Sequence, residues 1–183
     1  MSNPWPDLFV VSQFLEASLV DAIVAEMKAA AGSAATVYGS TVSGTIDESV
    51  RRTFRVKPSS ETVAVVIQKL LTQKAAVEKH FGVVLNECEE PQFLRYREGD
   101  FFVAHQDGNT GLLRLETEQR LISTVIFLNS DYDGGSLMFS NLRERFEVSS
   151  QPGMLAAFRS ETTHEVTPVT HGERYSIASW YRS

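Results

Sequence analysis

From residue 83 onward the chain is a succession of short apolar or alternating runs cut by turn residues: "VVL", "QFLRYR", "FFVAHQ", "LISTVIFLN", "SLMFS", "RFEV", "MLAAF", "HEVTPV" and "RYSIASWY". No helical pattern separates them, so no crossover connection is available to make a parallel sheet. Strands in such a series pair antiparallel and must bury one face each, which predicts a sandwich or closed β structure. Helical periodicity is confined to the first half. After a short strand "LFVV" at 8–11, the segment "EASLVDAIVAEMKAAAG" places Leu19, Ile23, Val24 and Met27 on one stripe, with Gly32 as its stop. Ser59 or Ser60 can cap a second helix running to about residue 81, with Val63, Val66, Ile67, Leu70, Leu71 and Val77 on one side. Between the two, residues 39–50 are rich in Gly, Ser and Thr and read as a loop, and "RRTFRVK" alternates as one strand. The expected class is therefore α+β, mainly β, with the helices packed on one outer face. There is no internal repeat, low-complexity tract or linker, so residues 1–183 are expected to form a single domain.

Composition narrows the function classes. The 183 residues are 43% hydrophobic, enough for a sizeable core, and the formal net charge of −6 argues against a surface built to neutralise phosphates, so nucleic acid is not an expected partner. Cys88 is the single cysteine, which excludes an intrachain disulfide and suits a reducing compartment. The opening "MSNPWPDLFVVSQFLE" shows no basic segment ahead of a long apolar core. Neither a leader nor a membrane span is expected, and cytoplasm is the expected location.

The chemistry is concentrated in "FVAHQDGNTG" at 102–111, where His105 and Asp107 stand two apart at the end of an apolar run. Side chains at i and i+2 of a strand point the same way, so an imidazole nitrogen and a carboxylate oxygen would converge, as two thirds of a 2-His-1-carboxylate face for non-haem Fe(II). With 23 acids in 183 residues, any histidine has about a one in eight chance of such a neighbour, and a second pair does occur at His171 and Glu173. That pair lies in "THGERY", which is turn chemistry. His164, just after the strand "GMLAAF", can supply the third ligand. Arg174 heads the last strand and shares a face with Ser176, a pairing of guanidinium and hydroxyl that suits a carboxylate. The plainer readings are a surface ion pair for His105 and Asp107, a strand-surface charge for Arg174, and core for Tyr96, Trp180 and Tyr181. His80 and His171 read as surface residues, and Arg51, Arg52 and Arg55 as a solvated strand edge.

The order His105-x-Asp107, "YDGGSLMF" at 132–139, "PGMLAAF" at 152–158, His164 and Arg174-x-Ser176 resembles the 2-oxoglutarate and Fe(II)-dependent oxygenase superfamily, in particular its prolyl 4-hydroxylase-like branch, over about residues 92–182. The resemblance implies a double-stranded β-helix, or jelly roll, with His105, Asp107 and His164 as Fe(II) ligands. It implies Arg174 as anchor of the distal carboxylate of 2-oxoglutarate and Tyr96 as its helper. It further implies O2 as oxidant, ascorbate as reductant, and hydroxylation of a C–H bond in a protein prolyl residue, a peptide or a small molecule. Halogenation is disfavoured, because Asp107 occupies the position a halide would need. Leu115, Val125, Phe127, Met138 and Phe158 are candidates to line the cavity, and segment 39–50 corresponds to a lid in similar enzymes. Two departures stand out: collagen-type relatives usually carry Lys where Arg174 stands, and Ser136 follows the paired glycines where many carry an acid. The rival reading is a non-catalytic jelly-roll module that binds a small molecule and retains a metal site.

Overall fold

The computed structural model describes residues 7–35, 47–108, 120–141 and 144–183. Residues 39–46 of the expected lid and the cavity candidate Leu115 lie outside them. Strand β1 (Leu8–Val11) leads into helix α1 (Ala17–Ala29), which buries Val20, Ile23 and Met27. The helix stops earlier than Gly32 suggests: Ala30 is already extended, and Gly32 opens a short strand β2 (Gly32–Ala34). The run "RRTFRVK" is not one strand either. It splits at buried Thr53 into β3 (Arg51–Arg52) and β4 (Phe54–Val56), which join different sheets. Thr53 pins the break by donating its hydroxyl to the Arg95 carbonyl at 2.9 Å. Helix α2 (Ser60–Phe81) begins where the Ser59 hydroxyl accepts from the Thr62 amide. It ends where Gly82 takes a left-handed conformation at φ 65°, a conformation glycine adopts without steric cost. Among the described residues no helix is long and apolar enough to cross a membrane.

The rest is β structure. The expected strand "VVL" is absent, with Val84 77% exposed; β5 (Glu87–Cys88) follows instead. Then come β6 (Gln92–Tyr96), β7 (Phe101–His105), β8 (Arg120–Phe127), β9 (Asp133–Gly134), β10 (Leu137–Ser140), β11 (Arg145–Glu147) and β12 (Leu155–Arg159). "HEVTPV" divides at Pro168, which has no amide to donate, into β13 (His164–Val166) and β14 (Val169–His171), and β15 (Arg174–Arg182) closes the chain. An eight-stranded sheet runs β1-β12-β8-β15-β6-β4-β2, with β5 also on β15; a five-stranded sheet runs β11-β10-β13-β7-β3; β14 and β9 pair separately. All pairings are antiparallel.

Alternation along β15 explains where the core and the site sit. Tyr175, Ile177 and Tyr181 join Ile23, Met27, Leu70 and Val77 of the helices in one buried cluster. Residues of opposite parity on the same sheet, Phe127, Ala156 and Phe158, join Leu137 and Phe139 of the smaller sheet in another. Arg174 and Ser176 share that inner parity. The polar residues of β15 thus share the parity that packs against the smaller sheet, while helix residues share the cluster of the other parity.

Candidate metal centre and anion pocket

His105 and His164 are direct cross-strand partners in β7 and β13, so the smaller sheet itself brings the two imidazoles together; their ring centroids are 4.3 Å apart. Asp107 reaches them by a different route from strand alternation. Strand β7 ends at His105, and the bend that follows is held against the end of β12 by the amides of Asp107 and Gly108, which both donate to the Ser160 carbonyl at 2.9 and 3.0 Å. One ligand atom from each of His105, Asp107 and His164 lies within 4.8 Å of the others, the one such group among the described residues. Each imidazole Nδ1 sits against a carbonyl two residues back, His105 on Val103 at 2.8 Å and His164 on Thr162 at 2.9 Å. That contact favours the tautomer with the proton on Nδ1 and leaves Nε2 to face Asp107, at 3.5 Å from His105 and 3.4 Å from His164.

The electrostatics fit a divalent cation. Burial opposes charge on Asp107, but the His164 charge and hydrogen bonds from both imidazoles hold its carboxyl well below the usual carboxylate range. Burial also opposes charge on His164, and adjacent Asp107 outweighs it, so that pKa is raised; at His105 burial prevails and the pKa is lowered. Two nitrogen lone pairs and a carboxylate directed at one point repel one another unless a positive charge lies between them. A proton on His164 is one solution, and a metal ion that displaces it is the other. Two imidazoles and one carboxylate, with three positions left open, are the donor set that suits non-haem Fe(II).

Behind Asp107 stands a pair the sequence reading missed. Ser123 donates to Asp107 Oδ2 at 2.8 Å and lies 2.9 Å from Ser160 Oγ, and both serines are 1% exposed. The available signal was a polar "ST" inside the apolar run "LISTVIFLN". Since partners behind a ligand typically carry a tenfold to hundredfold share of metal affinity, Ser123→Ala is expected to weaken Fe(II) binding by about tenfold without unfolding the protein. Anaerobic metal titration beside a thermal melt checks this, and an unchanged dissociation constant counts against it.

Arg174 is the buried cation of the site, 1% exposed. Its Nη1 donates to Ser176 Oγ at 2.7 Å, and its guanidinium lies 5.0 Å over the Tyr96 ring and 5.7 Å over that of Phe127. Tyr96 is its cross-strand neighbour in β6. No carboxylate pairs with Arg174 among the described residues, and its Nε has no hydrogen-bond partner. The paired glycines of "YDGGSLMF" make this packing possible. A Cβ on Gly135 would stand 3.0 Å from Arg174 Cδ, and one on Gly134 would stand 2.3 Å from the Pro168 carbonyl oxygen. Ser136 turns away to donate to Glu147.

Other candidates separate from the site. His171 is exposed beside Glu98, and Glu173 takes the Tyr175 hydroxyl and faces Arg97. His80 pairs with Asp7. Of the cavity candidates, Phe127 and Phe158 are on the inner face with Val125 packed against them, whereas Met138 alternates outward between buried Leu137 and Phe139. Arg52 and Arg55 are exposed as expected, but Arg51 is buried at 9% and covers Phe102, so it is no solvated edge.

Residues 91–182 match the family model of the 2OG-Fe(II) oxygenase superfamily. The chain belongs to that superfamily. A PKHD-type hydroxylase of Acinetobacter baylyi is 30% identical over 87% of this oxygenase and 73% of that protein. One of Teredinibacter turnerae is 28% identical over 92% and 76%. Among solved structures, a Pseudomonas putida prolyl-4-hydroxylase superposes with a TM-score of 0.74 at 26% identity, covering 97% of this chain and 92% of that one. A Trichoplax adhaerens prolyl hydroxylase, solved with a hypoxia inducible factor peptide fragment, shares the fold at a TM-score of 0.72 and 15% identity, over 97% and 84%. The chain is thus a 2-oxoglutarate-dependent oxygenase, and its family is one that uses Fe(II) and 2-oxoglutarate.

Proposed function

We propose that this oxygenase hydroxylates a C–H bond, with a prolyl residue of a peptide or protein as the favoured substrate, and that residues 1–183 form one domain built on a double-stranded β-helix. His105, Asp107 and His164 are the proposed Fe(II) ligands, and Arg174, Ser176 and Tyr96 the proposed cosubstrate pocket. The carrying observation is a buried guanidinium without a carboxylate among the described residues, on the same sheet face that supports the triad. Ser123, which holds Asp107, and Phe127, beneath Arg174, stand four residues apart on the inner face of β8. A buried cation left unmatched is costly, and a dicarboxylate that reaches the triad with its other end would satisfy it.

When bound, Fe(II) supplies the dioxygen chemistry that couples oxidative decarboxylation of 2-oxoglutarate, to succinate and CO2, with hydroxylation of the substrate. The protein's own residues do the placing. His105 and His164 present Nε2, Asp107 contributes the negative charge, and Arg174 with Ser176 orients the distal carboxylate. Phe127 and Phe158 keep the inner face dry. Ascorbate is the proposed reductant that keeps the iron ferrous. The prolyl substrate rests on the similarity to the Pseudomonas putida prolyl-4-hydroxylase, the hydroxylation on that and on the PKHD-type hydroxylases, and a cytoplasmic location on the single cysteine. These hydroxylase relatives also weigh against a non-catalytic binding module.

Anaerobic addition of Fe(II) and then 2-oxoglutarate is expected to produce a visible charge-transfer band. Admission of air with a panel of prolyl peptides is expected to yield succinate and a mass gain of one oxygen atom on one of them. Metal binding with no band on addition of 2-oxoglutarate would overturn the oxygenase mechanism at this site.

A further inference from the structure

Phe102 and His105 are three apart, and in an unbroken strand they would point to opposite faces of the sheet. Their pairing shows why they do not. Phe102 stands opposite Val166 and His105 opposite His164, so β7 spends three steps where β13 spends two, and an extra residue is accommodated at Val103–Ala104. The bulge places both rings on one side, stacked with centroids 3.6 Å apart and planes inclined by 18°. Its backbone is tied at both ends: the Val103 amide donates to the Val50 carbonyl at 3.0 Å, and the Val103 carbonyl faces His105 Nδ1 at 2.8 Å. Arg51, paired with Phe102 across β3 and β7, lays its guanidinium 4.7 Å over the Phe102 ring. With the imidazole at 3.6 Å filling one face, the guanidinium is left the other.

We infer that Phe102, clamped by Arg51, is a positioning residue that fixes the plane of His105 and thereby the direction of its Nε2. The inference rests on the reading of His105 as a metal ligand. Contacts at Nδ1 and Nε2, to the Val103 carbonyl and to Asp107, both lie in the ring plane and leave the imidazole free to turn about the line between them, and a flat ring against its face removes that freedom. His105 needs this more than His164 does. Its side chain is 18% exposed against 6%, and His164 is already boxed by the edge of Phe158 at 4.8 Å and by Phe139 at 6.1 Å. The Arg51 charge over the ring adds an electrostatic attraction that holds the aromatic plane in place. Because β3 supplies Arg51, and Val50 just before it takes the bulge amide, displacement of this short strand would be felt first at His105.

The test is anaerobic titration with Co(II), whose visible d–d bands report coordination as well as occupancy, on the full chain carrying Phe102→Ala, Phe102→Leu, Phe102→Tyr or His105→Ala. Phe102→Ala is expected to weaken Co(II) binding by about tenfold to a hundredfold, the range for partners that orient a ligand, and to alter the d–d bands. Phe102→Tyr, which keeps the plane, should bind within about twofold of the parent, and Phe102→Leu, which keeps volume without a plane, should fall near Phe102→Ala while melting like the parent. Leu restoring binding as well as Tyr, or Phe102→Ala matching the parent in affinity and spectrum, would overturn the positioning role. His105→Ala separates the two levels: if it too binds Co(II) like the parent, the ligand assignment fails and the inference falls with it.

Discussion

Arg174→Ala is expected to bind Fe(II) like the parent and to lose 2-oxoglutarate affinity by about 2–5 kcal/mol, the usual consequence of removing one partner of a desolvated charge pair. That corresponds to roughly thirtyfold to several thousandfold in dissociation constant. The size follows from the setting. The guanidinium is 1% exposed, its Nη1 donates to Ser176, and aromatic faces of Tyr96 and Phe127 lie against it, so a carboxylate arriving there meets little competition from water. Arg174→Lys should fall between, since an ammonium retains the charge but lacks the planar fork. Anaerobic titration of 2-oxoglutarate with Fe(II) present, following the charge-transfer band, measures all three proteins. Parental affinity in Arg174→Ala would move the anchor elsewhere, and the fold leaves few substitutes. Arg95 alternates with inward Leu94 and Tyr96, Arg159 reaches the Phe81 carbonyl at the helix side, and Arg97 lies by Glu173.

Asp107→Ala is expected to lower Fe(II) affinity by more than about a hundredfold, beyond the range for groups that merely support a ligand, while Glu173→Ala leaves it unchanged. Among the described residues Asp107 is the one anion facing both imidazoles, and its removal leaves two neutral nitrogens to hold a dication. Glu173 has the same spacing to its histidine in sequence, but it is engaged with Tyr175 and Arg97 instead. Equal losses in the two variants, read by metal titration, would show that Asp107 is not the carboxylate ligand. Loss in Glu173→Ala alone would assign the metal to the "HGE" turn.

How much of this was legible in advance depends on whether the signal was local. Helix α2 was, because its cap, with Ser59 and Ser60 as candidates, and its stripe of Val66, Leu70 and Val77 are each set by residues one or two helical turns apart. So was most of the strand series, whose alternation is a period-two property of each run, although "VVL" forms no strand and "HEVTPV" forms two. The residues of the candidate site were also legible, since unusual types stood at informative spacings: His105-x-Asp107, His164 and Arg174-x-Ser176. The family resemblance over the second half, found again in the match to residues 91–182, rests on the same order of residues.

What no local pattern could supply is which strand pairs with which. "RRTFRVK" alternates as one strand, but β3 finds β7 and β4 finds β6, because Thr53 is drawn to the Arg95 carbonyl by a contact 42 residues away. The spacing of His105 and Asp107 suggested a shared strand face, whereas their meeting depends on the Ser160 carbonyl at the end of β12, which holds the bend beyond β7. Ser123, Ser160 and Phe102 were invisible as parts of the site for the same reason. Sequence by itself determined which chemical groups the protein carries and which short segments can be helix or strand, since propensity and periodicity are properties of neighbours. The aim of those groups was decided only by the tertiary structure, through long-range pairing and one bulge, because hydrogen bonds between distant strands set side-chain direction and leave no mark at fixed spacing along the chain.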